Sequence, residues 1–225
     1  MNKRLAIIAL VLTIGIGSFF VMRSKNPQPE PDQKITTTKT SPEKQPDTKA
    51  SSTTPTTPSA LTLPLSDALS RVTKKPFGIL IEKKTSPVQP ERFAGYHTGV
   101  DFETLPEEQD IDVPVHAICT GPLIAKKRAT GYGGIAIQRC VIADETVTVI
   151  YGHLRLSSIT AKLNENISAG TEFAILGKGF SAETDGERKH LHLSIHRGKD
   201  VNVLGYVQNA SSLEAWLDAL TLITP

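Results

Sequence analysis

Short apolar runs are the feature that most constrains the fold of this chain. From about Leu61 onward, the sequence alternates between such runs, which are rich in β-branched residues, and turns that contain glycine or proline. Examples are FGILIE, VPVHAI, GGIAIQRCVIA, VTVIYGHL and HLHLSIH. Runs of this length are typical of β-strands, and the frequent turns between them favour antiparallel pairing. We therefore expect residues 61–225 to form a mostly β domain built on a single antiparallel sheet.

Two segments of this region have helical character. The segment PLSDALSRV predicts a short helix over residues 65–72. Near the C-terminus, SSLEAWLDAL predicts a second helix, in which Ser211 and Glu214 would form a capping box. The apolar face of that helix would contain Leu213, Trp216, Leu217 and Leu220. We interpret Trp216 as a core residue rather than a binding platform.

The N-terminal segment predicts a membrane anchor. Residues 5–22 are uncharged and apolar, and Lys3 and Arg4 precede them. A run of this length is at the lower edge of what crosses a bilayer as a helix, and it is longer than the core of most secretory signals. We expect an uncleaved transmembrane signal anchor at 5–22 after a short N-terminus at 1–4; a cleaved signal peptide is the alternative. The flanking charges are nearly balanced, so they barely choose an orientation.

Residues 23–60 have the composition of a linker. Proline, threonine, serine and charged residues dominate this segment, and Ile35 is its only large aliphatic residue. Such a segment cannot bury enough apolar surface to offset the entropy lost on ordering. We expect a disordered linker that lets the following domain work away from the membrane.

The overall composition argues against nucleic-acid binding, and it leaves open whether the two cysteines form a disulfide. A formal net charge of +2 over 225 residues does not indicate a nucleic-acid-binding protein, and no basic stripe is interleaved with aromatic residues. Cys119 and Cys140 lie in neighbouring predicted strands. They are either a disulfide, as is common in exported domains, or two small buried apolar residues.

The stretch KHLHLSIHRG carries half of the six histidines of the chain. In a strand, side chains alternate between faces, so His190, His192 and His196 would project one way and the intervening leucines and isoleucine the other. A face that only contacted solvent would be expected to carry threonine, lysine or glutamate. The pattern therefore indicates a metal or catalytic site backed by a core.

Two further motifs supply partners for these histidines. In GYHTGVDFE, His97 and Asp101 have three residues between them, and an imidazole and a carboxylate are suitable zinc ligands. His192 is the natural third ligand. Such an open site lowers the pKa of a bound water and polarises a peptide carbonyl, which permits amide hydrolysis near neutral pH. His153, in TVIYGHL, and His190 are candidates for the accompanying general acid and base.

The motifs HTGVD, YGHL and HLHL, in this order, resemble those of the LytM and lysostaphin-type zinc metalloendopeptidases of bacterial cell walls. The resemblance covers roughly residues 75–207, and VPVHAICTG, GYGG and ISAGTEFAILG also fit it. It implies a β-sheet groove of the duplicated hybrid motif type with zinc on its floor. It also implies a substrate, the peptide part of peptidoglycan, which the metal-bound water would attack.

By the same resemblance, His97, Asp101 and His192 match the zinc ligands, and His153 and His190 match the two catalytic histidines. A catalytically silent module of the same fold, which binds peptidoglycan or activates an amidase, is the alternative function. A wall hydrolase needs its C-terminal domain outside the membrane, so the resemblance places residues 1–4 in the cytoplasm.

Two segments depart from the family pattern. The connection KGFSAETDGERK, residues 178–189, is longer and more charged than the short glycine-rich turn of many members, and TLPEEQDID, residues 104–112, is a second insertion. The charged side chains of the first, Glu183, Asp185, Glu187, Arg188 and Lys189, either form a groove wall or are solvated, and solvation is the default expectation. We expect His116 to be structural, and His196 to line the groove or face solvent.

Overall fold

The computed structural model describes residues 61–224 of the chain. The predicted signal anchor at 5–22 and linker at 23–60 lie outside the described residues. Within 61–224, no helix is long and apolar enough to cross a membrane.

The described residues form twelve β-strands, all of whose pairings are antiparallel. The strands are β1 (Leu80–Ile81), β2 (Gly95–His97), β3 (Gly99–Glu103), β4 (Pro114–His116), β5 (Gly121–Ala129), β6 (Gly133–Ile142), β7 (Glu145–Gly152), β8 (Asn166–Ile167), β9 (Glu172–Ile175), β10 (His190–Arg197), β11 (Tyr206–Val207) and β12 (Trp216–Leu217). The expected mostly β, antiparallel fold is confirmed.

The expectation of a single sheet is wrong, because the described strands form three sheets. The largest has the order β12-β10-β7-β6-β5-β8, with β3 also paired to β10; β1-β2-β11 and β4-β9 form two smaller sheets. The chain changes partner at Thr98, whose amide donates to the carbonyl of Gly205 and whose hydroxyl donates to that of Leu204. For this reason β2 pairs with β11, while β3 pairs with β10.

Strand β10 organises the domain. One of its edges pairs with β7, and its other edge pairs with β3 over the first half and with β12 at the end. Leu191, Leu193 and Ile195 are fully buried in the main core. The predicted alternation of β10 is therefore confirmed on its apolar face.

The predicted N-terminal helix is reduced to one turn. Residues 65–72 contain only a 3-10 turn, Ala68–Ser70. Asp67, immediately before it, has a φ of 51°, which lies in the left-handed region rather than in the right-handed helical region. The buried Leu65 and Ala68 anchor the segment to the core instead.

The C-terminal helix is also shorter than predicted, and the proposed capping box is wrong. Ala210–Ala215 is a 3-10 helix, and β12 follows it because Trp216 and Leu217 pair with β10. The α-helix α1 (Ala219–Ile223) begins only after Asp218, whose side chain accepts a hydrogen bond from the amide of Leu220. Trp216 is 4% exposed, so its expected role in core packing is confirmed. Three other 3-10 turns are Ala68–Ser70, Pro106–Glu108 and Leu156–Ser158.

Cys119 and Cys140 form a disulfide, which resolves the open alternative. The bond ties β6 to the segment that precedes β5. Gln138 donates to the carbonyl of Cys119, so the same junction is also hydrogen-bonded.

Candidate metal centre

Three side chains converge at one buried point. The Nε2 atom of His97, the Oδ1 atom of Asp101 and the Nδ1 atom of His192 all lie within 4.8 Å of one another. The distances are 3.1 Å between the two nitrogens, 3.3 Å from His97 to Asp101 and 3.0 Å from His192 to Asp101. Ligand atoms placed tetrahedrally around zinc at its usual bond lengths are about 3.3 Å apart. The spacing of the three atoms therefore fits a single metal ion.

Strand register brings these residues together from distant parts of the chain. Asp101 on β3 is directly opposite His192 on β10, and His97 ends β2 two residues before β3 begins. The glycine of HTGVD makes room for the imidazole, because a Cβ atom on Gly99 would lie 2.6 Å from Nε2 of His192.

Hydrogen bonds orient both imidazoles. Nδ1 of His97 lies 3.2 Å from the carbonyl oxygen of Pro76, and Nε2 of His192 lies 3.3 Å from the hydroxyl of Tyr132. A neutral imidazole has one N–H, so donation to these partners leaves the lone pairs of His97 Nε2 and His192 Nδ1 directed toward Asp101. Partners of this kind fix the tautomer of metal-binding histidines.

The protonation states of the candidate ligands favour binding of a cation. Burial lowers the pKa of His192 to about 4, against a weaker opposing effect of the neighbouring Asp101 carboxylate. Burial would raise the pKa of Asp101, but the neighbouring His190 and His97 hold it well below its usual range. At neutral pH the site thus offers a neutral imidazole at His192 and a carboxylate at Asp101. Two imidazole nitrogens and one carboxylate oxygen are a donor set that zinc takes in catalytic sites.

Two more histidines lie beside the three candidate ligands. The ring centroids of His153 and His190 are 4.2 Å apart. His153 directly follows β7 and has a φ of 62°, a turn that directs it toward β10. Nδ1 of His190 lies 2.9 Å from the carbonyl oxygen of Arg188, and its Nε2 lies 3.3 Å from Oδ2 of Asp101.

His153 carries a free polar atom. Its Nδ1 is buried and has no hydrogen-bond partner among residues 61–224. Burial, and then the neighbouring His190, lower the pKa of His153 well below its usual range. A neutral imidazole with an unused nitrogen is equipped to exchange a proton with a bound substrate or water.

Sequence reasoning missed three residues of this site. The sequence places Tyr132 in the GYGG turn and Arg188 in the charged segment 178–189, and it gives Glu103 no role. Arg188 contacts Asp101 and Glu103, and Lys189 is 4% exposed. The expectation that the side chains of this loop are solvated is therefore wrong for these two residues. Strand alternation could have found Glu103, which lies two residues after Asp101 on the same face of β3.

A cleft opens beside the candidate ligands. Its cavity has a volume of about 270 Å³, and its lining includes Phe93, Asp101, Tyr132, His153, His192 and Tyr206. Phe93 stacks on Tyr206 with ring centroids 5.7 Å apart. Arg92 pairs with Asp185 and Glu187 at the edge of the cleft, so part of the charged segment 178–189 does form a wall there.

The remaining two histidines lie elsewhere. His196, at the far end of β10, is half-buried and packs edge-on against Trp216 with ring centroids 4.7 Å apart, and it is not among the residues that line the cleft. His116 is half-buried on β4, which belongs to a different sheet.

Comparison with known proteins agrees with the motif resemblance. The sequence model of Peptidase family M23 matches residues 95–203. Two similar solved structures are the catalytic domain of the antimicrobial peptidase lysostaphin from Staphylococcus simulans (18% identity, 71% of this chain and 98% of that chain, TM-score 0.47) and CbpA from L. salivarius REN (21% identity, 73% and 94%, TM-score 0.48). No curated protein sequence matches the chain. The sequence match over 95–203 contains all five predicted site residues, His97, Asp101, His153, His190 and His192.

Proposed function

Residues 95–203 belong to peptidase family M23, and from this premise we propose that the chain is a zinc-dependent endopeptidase that hydrolyses peptide cross-links or stem peptides of bacterial peptidoglycan. The observation that supports the proposal best is the convergence of His97 Nε2, Asp101 Oδ1 and His192 Nδ1 within 4.8 Å. These three residues would hold the zinc ion. A zinc ion held there would supply Lewis-acid polarisation of the scissile carbonyl and acidify a water molecule.

His190 is the proposed general base. Its Nδ1–H donates to the carbonyl of Arg188, so the lone pair of Nε2 points toward Asp101 and the zinc site. Because a general base must lie within hydrogen-bond reach of the proton that it takes, this orientation suits removal of a proton from an attacking water.

His153 is the proposed second catalytic histidine. It lines the cleft, and its Nδ1 has no partner within 61–224. From that position its ring can contact the carbonyl oxygen or the leaving amine of a bound peptide. His153 and His190 thus flank the point at which the amide would react.

The test is digestion of purified peptidoglycan by the full chain in mild detergent, with zinc present or chelated. Several wall chemistries should be compared, and the released fragments identified by mass spectrometry. We expect zinc-dependent release of fragments cut at a peptide bond, and their masses name the bond. His116→Ala, which alters a histidine of another sheet, is the matched control and should cut like the wild type.

The alternative is the catalytically silent module that binds peptidoglycan or activates an amidase. A folded, zinc-loaded protein that released nothing from any wall preparation would contradict the endopeptidase and favour this module. Retention of the same protein on sedimented peptidoglycan would then support binding.

We propose further that the domain works outside the membrane, anchored through residues 5–22. The proposal rests on the apolar run and on the location of the wall substrate. Fractionation of cells, followed by protease treatment of intact spheroplasts, tests it. Recovery in the membrane fraction with an accessible C-terminal domain is expected, and a soluble, protected protein would contradict it.

A further inference from the structure

Arg188 connects the candidate metal centre to a second carboxylate. Its Nη2 atom donates to Oδ2 of Asp101 at 2.9 Å. Its Nε atom lies 2.9 Å from Oε2 and 3.1 Å from Oε1 of Glu103, and Nη2 also pairs with Glu103. The side chains of Arg188 and Glu103 are each 11% exposed. Arginine is suited to this arrangement because its planar fork satisfies two acceptors at once.

The contact divides the two oxygens of Asp101 between different partners. Oδ1 faces His97 and His192, whereas Oδ2 faces Arg188 and His190. With Oδ2 held by the guanidinium, only Oδ1 is free to bind a metal. Without Arg188, Oδ2 could turn toward the metal or pair more closely with His190 Nε2, which is 3.3 Å away.

Glu103 holds the guanidinium in this position. It lies two residues after Asp101 on β3, and it is directly opposite His190 in the β3–β10 ladder. Lys74 adds a second cation at 3.2 Å from Glu103. Since Glu103 offsets the positive charge of Arg188, a metal ion and the arginine can occupy the same buried region.

We propose that Arg188 is a positioning residue that makes Asp101 a monodentate zinc ligand and keeps His190 Nε2 free. The inference rests on the metal centre of the proposed function and names a residue that acts through Asp101. It also assigns a purpose to the charged segment 178–189, because Arg188 lies in that segment two residues before β10 begins.

The test compares Arg188→Met and Arg188→Lys in the full chain. Arg155→Met is the matched control, since Arg155 forms a bidentate pair with Asp112 and does not contact Asp101. Zinc affinity is measured by competition with a chromogenic chelator. The visible spectrum of the cobalt-substituted protein reports the number of ligand atoms around the metal.

We expect Arg188→Met to weaken zinc binding about 10- to 100-fold, the usual effect of losing a residue that orients a ligand. Loss of a nearby positive charge would by itself strengthen the binding of a cation. Weaker binding therefore identifies positioning rather than charge. We also expect weaker cobalt absorption, because a bidentate Asp101 raises the coordination number. Arg188→Lys should show a smaller loss of affinity, since one ammonium cannot reproduce the fork.

The double variant Glu103→Gln with Arg188→Met guards against misfolding, because it does not leave the Glu103 carboxylate buried without its arginine. It should show the same loss of zinc affinity. The inference about Arg188 is overturned if Arg188→Met or the double variant binds zinc at least as tightly as the wild type and its cobalt spectrum is unchanged. That result would leave the proposed metal centre standing. Wild-type protein that bound no zinc would overturn the metal centre, and the inference with it. A wild type that bound zinc but cut no peptide would contradict only the proposed activity, because the affinity comparison still decides the role of Arg188.

Discussion

Asp101 and His192 are directly opposed in the β3–β10 ladder, and Oδ1 of the carboxylate is 3.0 Å from Nδ1 of the imidazole. Neighbouring strands lie about 4.8 Å apart, so this register alone brings two candidate ligands into contact. His97 completes the group from the end of β2. The geometry of the centre therefore depends on one strand pairing and one short connection.

Removal of a candidate ligand should remove the metal. We expect Asp101→Ala or His97→Ala to lose stoichiometric zinc and peptidoglycan hydrolysis together, because two ligands do not hold the ion against dialysis. Metal analysis after dialysis checks the first part, and fragment release checks the second. His116→Ala should keep both. Full zinc content in Asp101→Ala would mean that this carboxylate is not a ligand.

His190 should separate catalysis from metal binding. We expect His190→Ala to retain most of its zinc and to lose about 10²- to 10⁴-fold in kcat, the usual contribution of a general acid or base. His196→Gln changes another histidine on the same face of β10 and should leave kcat nearly unchanged. An undiminished kcat in His190→Ala would refute the role given to that imidazole.

Gly152 should tolerate no side chain. A Cβ atom there would lie 2.5 Å from Cδ1 of Tyr132 and 3.3 Å from Cβ of His192. We expect Gly152→Ala to displace Tyr132 and weaken zinc binding by at least about 10-fold, as loss of an orienting partner does. Gly198→Ala, where the space is open but φ is +81°, should lower stability by about 1 kcal/mol and leave zinc affinity intact. Equal zinc affinities in the two variants would show that Tyr132 does not orient His192.

The stability of the metal-free protein should fall in mild acid. The pKa of His192 is about 4 in the fold, against 6.5 for a free histidine. Between these values the unfolded chain binds a proton that the folded chain does not, so the free energy of unfolding rises with pH in this window. The lowered pKa of His153 acts in the same direction. We expect a loss on the order of 3 kcal/mol from His192 alone between pH 7 and pH 4. Denaturant titrations in a chelator at several pH values measure it, and a flat profile from pH 7 to pH 4 would contradict it.

The disulfide should contribute to stability without touching the site. Cys119 and Cys140 are 21 residues apart in sequence, and closing a loop of this length stabilises a fold by about 3 kcal/mol. We expect the double variant Cys119→Ala with Cys140→Ala to unfold at lower denaturant concentration and to keep its zinc affinity. Mass spectrometry with and without reductant checks the bond itself. Two free thiols in the purified protein would contradict it.

The sequence predicted the local patterns of this domain well. The alternation in HLHLSIH identified both faces of β10, and the spacing of His97, Asp101 and His192 selected the three side chains that meet. Both inferences use information that lies within a few residues or in one motif order. The predicted C-terminal helix failed because Trp216 pairs with His196, a contact between distant segments that overrides local helical preference.

Arg188 and Tyr132 were missed for a similar reason. Each lies in a turn-like segment of ordinary appearance, and only the folded chain brings the guanidinium to Asp101 and the phenol to His192. Such contacts depend on where a loop returns to the sheet. Composition and periodicity carry no information about that path.

The buried Lys189 makes the two inserted segments interdependent. Its ammonium donates to the carbonyls of Glu108 and Ile111, so residues 104–112 close over the end of residues 178–189. A chimera that received the charged loop without the second segment would lack these acceptors for the Lys189 ammonium, and a buried charge without partners is costly. Transfer of the cleft wall to another domain of this fold therefore requires both segments together.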